Sequence, residues 1–188
     1  MLRKSQEYIV ERIKGPMVAA EVGVFKGGNA LRILSMNVKE LILVDPYSAF
    51  TYIRRDYIQK ELDEAMKIML ERITPYIKNG TVNFLRKPSV EAAKLFPDNY
   101  FDFVYIDGDH SYEAAKADII AWYPKVKNGG ILSGHDYPTP TVEKACIEFA
   151  AEKKIKLVGW VGSKDFKNMS DPNPTPDGDK DWVMEVRR

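Results

Sequence analysis

The chain has 188 residues, 45% of them hydrophobic and 29% charged, which suits one soluble domain able to bury a sizeable core without disulfides or a structural metal. Twenty-eight Lys and Arg face 27 Asp and Glu, so the net charge of +1 offers no basic field for nucleic acid, and a small-molecule partner is expected instead. No window approaches the roughly 18 apolar residues of a membrane span, so no membrane partner is expected either.

The opening MLRKSQEYIV lacks an apolar signal core and reads as the start of a helix, about Ser5 to Lys14, within an N-terminal segment 1–15. Met17 to Val22 is an apolar run ending at glycines, and reads as a buried first strand. The alternation then repeats: helix Asn29 to Met36, strand Leu41 to Val44, helix Arg54 to Ile73, strand Thr81 to Leu85, helix Val90 to Leu95, strand Phe101 to Ile106. That order predicts a parallel sheet. In the long helix, Ile58, Leu62, Ala65, Met69 and Ile73 share one face by steps of three and four, and are assigned to the core. Ala115, Ile119, Trp122 and Val126 repeat the pattern, with Asn128-Gly129-Gly130 as the stop and Gly130 to Ser133 as strand five. A helix from Thr141 to Lys153, a strand from Ile155 to Trp160 and a last strand from Asp181 to Val186 complete seven strands. The only cysteine, Cys146, lies in the apolar-periodic stretch Thr141 to Ala150, which argues against a disulfide framework or zinc cluster and for a cytoplasmic setting. SDPNPTPDGDK, residues 170–180, is rich in proline and aspartate and is expected to be a mobile surface loop. No repeat or linker divides the chain, which is expected to be a single domain over residues 1–188.

The expected fold is therefore α/β, Rossmann-like and doubly wound, with a mostly parallel seven-stranded sheet, helices on both faces and the last strand antiparallel. Ligands of such sheets bind outside the carboxyl ends of the strands where strand order reverses. After strand one comes Glu21-Val22-Gly23-Val24-Phe25-Lys26-Gly27-Gly28, whose glycines let the backbone turn and approach a ligand. After strand two comes Asp45, 22 residues beyond Gly23, placed to accept from ribose hydroxyls, against a plain turn role before Pro46. The spacing G-x-x-x-G-G differs from the G-x-G-x-x-G that meets a dinucleotide pyrophosphate.

In Glu21, Gly23 and Asp45 the chain resembles the class I S-adenosylmethionine-dependent methyltransferases. That resemblance implies that S-adenosylmethionine binds along Glu21, Gly23, Val24, Phe25, Gly27, Gly28, Asp45 and Pro46, with the strand-one acid near the methionine part and the strand-two acid on ribose. It also puts Ser89 of Lys87-Pro88-Ser89 on adenine, a residue equally suited to cap the next helix, and Asp107 and Gly108 at the end of strand four.

The densest motif, Phe101 to Glu113, holds Asp107, Asp109 and His110, and Gly134-His135-Asp136-Tyr137 closes the neighbouring strand. These two segments resemble the small O-methyltransferases of sugars and natural products and, more distantly, the catechol O-methyltransferases. The resemblance implies a divalent cation, magnesium or manganese, on Asp107, His135 and Asp136, although imidazole suits magnesium poorly. The alternative for His135 and Asp136 is a hydrogen-bonded turn, and for Asp109 and His110 a helix cap. A neutral hydroxyl needs a base to become a nucleophile, which nominates His110, with Asp109 as the carboxylate alternative and Asp107 beside them. Tyr47, Tyr52, Tyr57, Tyr112 and Tyr137 are expected near the strand ends, as pocket lining or as packing. The competing functions are a nucleotide-dependent oxidoreductase and a non-catalytic cofactor-binding partner subunit. A homo-oligomer is one way to cover the open substrate edge.

Overall fold

The computed structural model describes residues 1–52, 55–159 and 180–188. Its strands are β1 (Met17–Val22), β2 (Val38–Val44), β3 (Phe50–Tyr52), β4 (Arg55–Tyr57), β5 (Val82–Leu85), β6 (Phe101–Ile106), β7 (Val126–Gly134), β8 (Leu157–Gly159) and β9 (Trp182–Glu185). The helices are α1 (Lys4–Arg12), α2 (Gly28–Leu34), α3 (Gln59–Lys78), α4 (Ser89–Ala93), α5 (Tyr112–Trp122) and α6 (Pro140–Lys153). Seven strands form one sheet in the order β5-β2-β1-β6-β7-β9-β8. All neighbours up to β7 are parallel, and β9 runs antiparallel to both β7 and β8, as the sequence leads one to expect. Among the described residues no helix is long and apolar enough to cross a membrane.

Side chains alternate across the pleat, so each strand feeds two cores. Val18, Ala20 and Val22 of β1 join Trp122, Val142, Cys146 and Phe149 under α5 and α6. Met17 and Ala19 of the same strand join Ile9, Ala30, Ile33, Leu62, Ala65, Met69 and Ile73 under α1, α2 and α3. This second face is the one on which Glu21 also lies, alternate to Val22.

Four expectations change. The helix expected from Arg54, itself outside the described residues, begins at Gln59, because Arg55–Tyr57 pairs antiparallel with Phe50–Tyr52 as β4 and β3 instead. Ile58 therefore drops out of the core stripe as the residue before the helix, 55% exposed, whereas Leu62, Ala65, Met69 and Ile73 are buried as expected. Second, Asn128-Gly129-Gly130 does not stop a helix: α5 ends in a short 3₁₀ turn at Tyr123–Lys125, carrying Pro124, and the Gly pair lies inside β7. Third, Ser89 is the first residue of α4, not its cap. Fourth, the cap before α5 is Ser111, whose hydroxyl accepts from the Ala114 amide, and neither Asp109 nor His110. Trp160 and the loop expected at 170–180, except for Lys180, lie outside the described residues.

Candidate active site

Strand order reverses between β1 and β6, since the chain proceeds from β1 to β2 and β5 on one side and from β6 to β7 on the other. The carboxyl tips there are knitted by backbone bonds that continue past the strands. Gly23 N donates to Val44 O (2.8 Å), Asp107 N to Val22 O (2.6 Å) and His135 N to Ile106 O (3.0 Å). Each residue singled out by its place after a strand is thereby held one step beyond its neighbour, on one continuous edge. Gly23 has φ +83°, and a Cβ on it would lie 2.0 Å from Asp107 O, so the tips of β1 and β6 meet in backbone contact that any side chain would part.

Asp45 anchors the glycine loop. One carboxylate oxygen accepts from the amides of Val24 (2.9 Å) and Phe25 (3.0 Å), and the other from Tyr47 (2.8 Å). A carboxylate offers about four acceptor positions, so the half-buried Asp45 retains capacity for a ligand hydroxyl while it shapes the loop. Phe25 and Tyr47 both have positive φ, 49° and 45°, a strain that clusters on this edge and that the Asp45 bonds help to hold. Gly27, at φ 74°, opens α2 against Met69, and Gly28 is the first residue of α2. Pro46 is half-buried, and its carbonyl accepts from Arg86 (3.3 Å).

Glu21 is 1% exposed. Asn29 donates to one of its carboxylate oxygens (3.0 Å), while the other is buried with no hydrogen-bond partner. Burial is the main reason that the Glu21 carboxyl titrates well above the usual range, partly offset by the Asn29 bond. A buried acceptor left open in this way suits a cationic ligand group, and with the Gly23 cradle it fits the methionine end of S-adenosylmethionine. Asn29 accepts in turn from Gln6 of α1 (2.8 Å). Sequence reading missed Asn29, Gln6, Arg3, Ser5 and Asp181. The available signal was polar Ser5 and Gln6 on the helical face of Ile9, an unusual choice for a buried stripe.

At the β6 and β7 tips Asp107, His110 and Asp136 bring ligand-type atoms within 4.8 Å of one another. His110 Nε2 lies 3.3 Å from Asp136 and 3.7 Å from Asp107. Burial pushes the His110 pKa down, but the Asp107 and Asp136 carboxylates outweigh it and leave it raised above the ordinary histidine value. His135 Nδ1 pairs with Asp136 (2.7 Å) and lies 3.7 Å from Asp107, while its Nε2 is buried, facing Asp181 at 4.0 Å. The three residues of the expected metal set, Asp107, His135 and Asp136, are thus brought together, and His110 joins the same two carboxylates. The mixed nitrogen and oxygen donors fit manganese better than magnesium.

Asp109 turns away: it is exposed and accepts from the Ser111 amide (2.8 Å). Gly108 faces Asp118 of α5, since a Cβ there would come within 3.4 Å of that carboxylate. Ser89 accepts from the Trp122 indole (2.9 Å) and bonds Asp118. Packing accounts for most of the tyrosines. Tyr47 is buried with its hydroxyl on Phe25 O (2.6 Å), Tyr112 bonds Glu148, and Tyr137 packs against Gly159. The side chains of Tyr52 and Tyr57 lie outside the described ones.

A parallel sheet reversing between β1 and β6, with an acid on β1, a glycine cradle and an acid after β2, defines an S-adenosylmethionine-dependent methyltransferase of the Rossmann-like class. The chain belongs to the methyltransferase domain family, whose model matches residues 20–137. Three solved structures are similar in fold. A protein from Streptococcus mutans, described as a methyltransferase and solved with S-adenosylhomocysteine, is 11% identical with a TM-score of 0.67, covering 98% of this chain and 99% of that one. A protein from Clostridium thermocellum, described as an rRNA methylase, is 15% identical with a TM-score of 0.67 over 98% and 94% of the two chains. The O-methyltransferase NovP is 18% identical with a TM-score of 0.62 over 98% and 79%. At these identities the likeness is one of fold.

Proposed function

We propose that the protein transfers a methyl group from S-adenosylmethionine to a hydroxyl of a small acceptor, a sugar, a phenol or a related natural product. The observation that carries this reading is His110, which shares the β6 and β7 tips with Asp107 and Asp136 beside the Glu21–Gly23–Asp45 edge. Bound there, the cofactor supplies a sulfonium-activated methyl group, so the protein's remaining task is to orient the acceptor and take its proton. Asp45 accepts from ribose and the open oxygen of Glu21 from the amino group. His110 takes the hydroxyl proton as oxygen attacks carbon, and Asp136 and Asp107 stabilise the imidazolium. Asp107, Asp136 and the Nδ1 of His135 are the groups that would hold a divalent cation, whose chemistry would be to acidify the acceptor hydroxyl, leaving His110 as the base.

The test is His110→Ala, assayed against a panel of hydroxylated acceptors with S-adenosylhomocysteine binding measured in parallel. Turnover is expected to fall at least about 100-fold with cofactor affinity nearly unchanged. For the wild type the rate is expected to rise with pH through the elevated His110 pKa, because only the neutral imidazole accepts the proton. Undiminished turnover in the variant removes His110 from the reaction.

A further inference from the structure

S-adenosylmethionine ends in an amino acid, a zwitterion with an ammonium and a carboxylate side by side. Glu21, whose carboxyl an adjacent ammonium would hold ionised against its burial, supplies an anion for the first. The second calls for a cation at the same end of the site, and α1 brings one. The Arg3 side chain is 12% exposed, an unusual position for guanidinium. Its Nη1 lies 3.7 Å from Asp181, a carboxylate that also takes the hydroxyls of Ser5 and Tyr105 (2.9 Å for Tyr105). Its own amide donates to Gln6 (2.9 Å), Gln6 donates to Asn29 (2.8 Å), and Asn29 donates to Glu21 (3.0 Å). Arg3 is thus tied to the buried carboxylate by an unbroken chain of three hydrogen bonds. Its charge acts on Glu21, on Tyr105 and on His135, so it sits among the groups of the sheet edge and not out on the surface of α1.

We infer that Arg3 binds the carboxylate of the cofactor's amino-acid end, as the cationic half of a clamp whose anionic half is Glu21. The inference rests on the methyltransferase reading. The planar fork of guanidinium matches a carboxylate in two parallel bonds, and Asp181, braced by Ser5 and Tyr105, keeps the fork from swinging into solvent. The N-terminal helix thereby becomes part of the binding site, although the matched methyltransferase region begins at residue 20.

The experiment is calorimetric titration of the full chain with three ligands: S-adenosylhomocysteine, its decarboxylated analogue, and 5′-methylthioadenosine, which lacks the amino acid altogether. Wild type and the variants Arg3→Met and Arg3→Lys are compared. Wild type is expected to prefer S-adenosylhomocysteine to the decarboxylated analogue by roughly tenfold or more. Arg3→Met is expected to lose that preference while holding both carboxylate-free ligands at wild-type affinity, and Arg3→Lys to recover part of it. Equal weakening toward all three ligands would make Arg3 a packing residue, and unchanged S-adenosylhomocysteine affinity would remove it from the site; either overturns the inference alone. A wild type that binds none of the three overturns the methyltransferase reading, and this inference with it.

Discussion

Gly23→Ala concentrates the architecture of the site into one methyl group. The added Cβ would sit 2.0 Å from Asp107 O and 2.4 Å from the Asp107 carbonyl carbon, both backbone atoms that no rotamer change can move. Relief requires the tips of β1 and β6 to separate by on the order of 1 Å, taking overpacking costs of about 1–3 kcal/mol. The φ of +83° adds about 1–2 kcal/mol for any residue with a Cβ. The total, about 2–5 kcal/mol, is a large part of the stability of a domain this size and corresponds to a fall in Tm of roughly 4–20 °C. The same displacement moves Asp107, and with it His110 on the same turn, away from Glu21. A misplacement of about 1 Å costs on the order of 100-fold in turnover. Gly28→Ala is the matched control: nothing lies within 4 Å of its Cβ, and at the start of α2 alanine is expected to be neutral or slightly stabilising. Guanidinium denaturation of both variants and S-adenosylhomocysteine titration of Gly23→Ala give the answer. If Gly23→Ala unfolds within about 0.5 kcal/mol of wild type and binds the ligand equally well, the two tips are not in contact and the reasoning is wrong.

Two further predictions concern the acids. Asp45→Ala leaves the amides of Val24, Phe25 and Tyr47 without their acceptor and, on the proposed reading, removes the ribose contact; stability is expected to drop about 2 kcal/mol and S-adenosylhomocysteine affinity at least about tenfold, measured by denaturation and calorimetry. Retained affinity would detach Asp45 from ribose. Asp118, buried under α5, titrates at about 6 against an ordinary value of 3.8, chiefly through burial. Folding therefore raises its affinity for a proton. The associated stability is complete below about pH 4 and is lost as pH rises through about 6, to a total of about 3 kcal/mol. Asp118→Asn is expected to gain on wild type across that window, as read from urea midpoints at pH 4.5 and 8; a difference that does not change with pH would show that Asp118 carries no such penalty.

The pattern of alternating apolar runs and helical stripes sufficed for the parallel sheet, because burial on both faces of β1, β2 and β6 demands near-continuous apolar strands, and that demand is local. It failed at Phe50–Tyr52 and Arg55–Tyr57, where strands of three residues carry no periodicity long enough to see, and at Gly129 and Gly130, which lie inside β7 instead of at a helix end, Gly129 in open space and Gly130 close against Asp102 O. The site was legible to the extent that its residues follow strands: Glu21, Gly23, Asp45, Asp107, His110 and Asp136 all lie within four residues of a strand end.

Which of those residues face each other is a tertiary matter. Both histidines reach Asp107 and Asp136, His110 through Nε2 and His135 through Nδ1, while the other ring nitrogen of His135 is turned toward Asp181. Arg3, Ser5 and Gln6 belong to the site only because α1 packs across the β1 tip, with Ile9 seated in the same core as α2 and α3. Sequence by itself determined the class of fold, the sheet edge that carries the candidate site and the acids that mark it, since each follows from spacing along the chain. Only the tertiary structure decided the partners of each acid, because hydrogen bonds between Gln6 and Asn29, or an ion pair between Arg3 and Asp181, join residues that no periodicity relates.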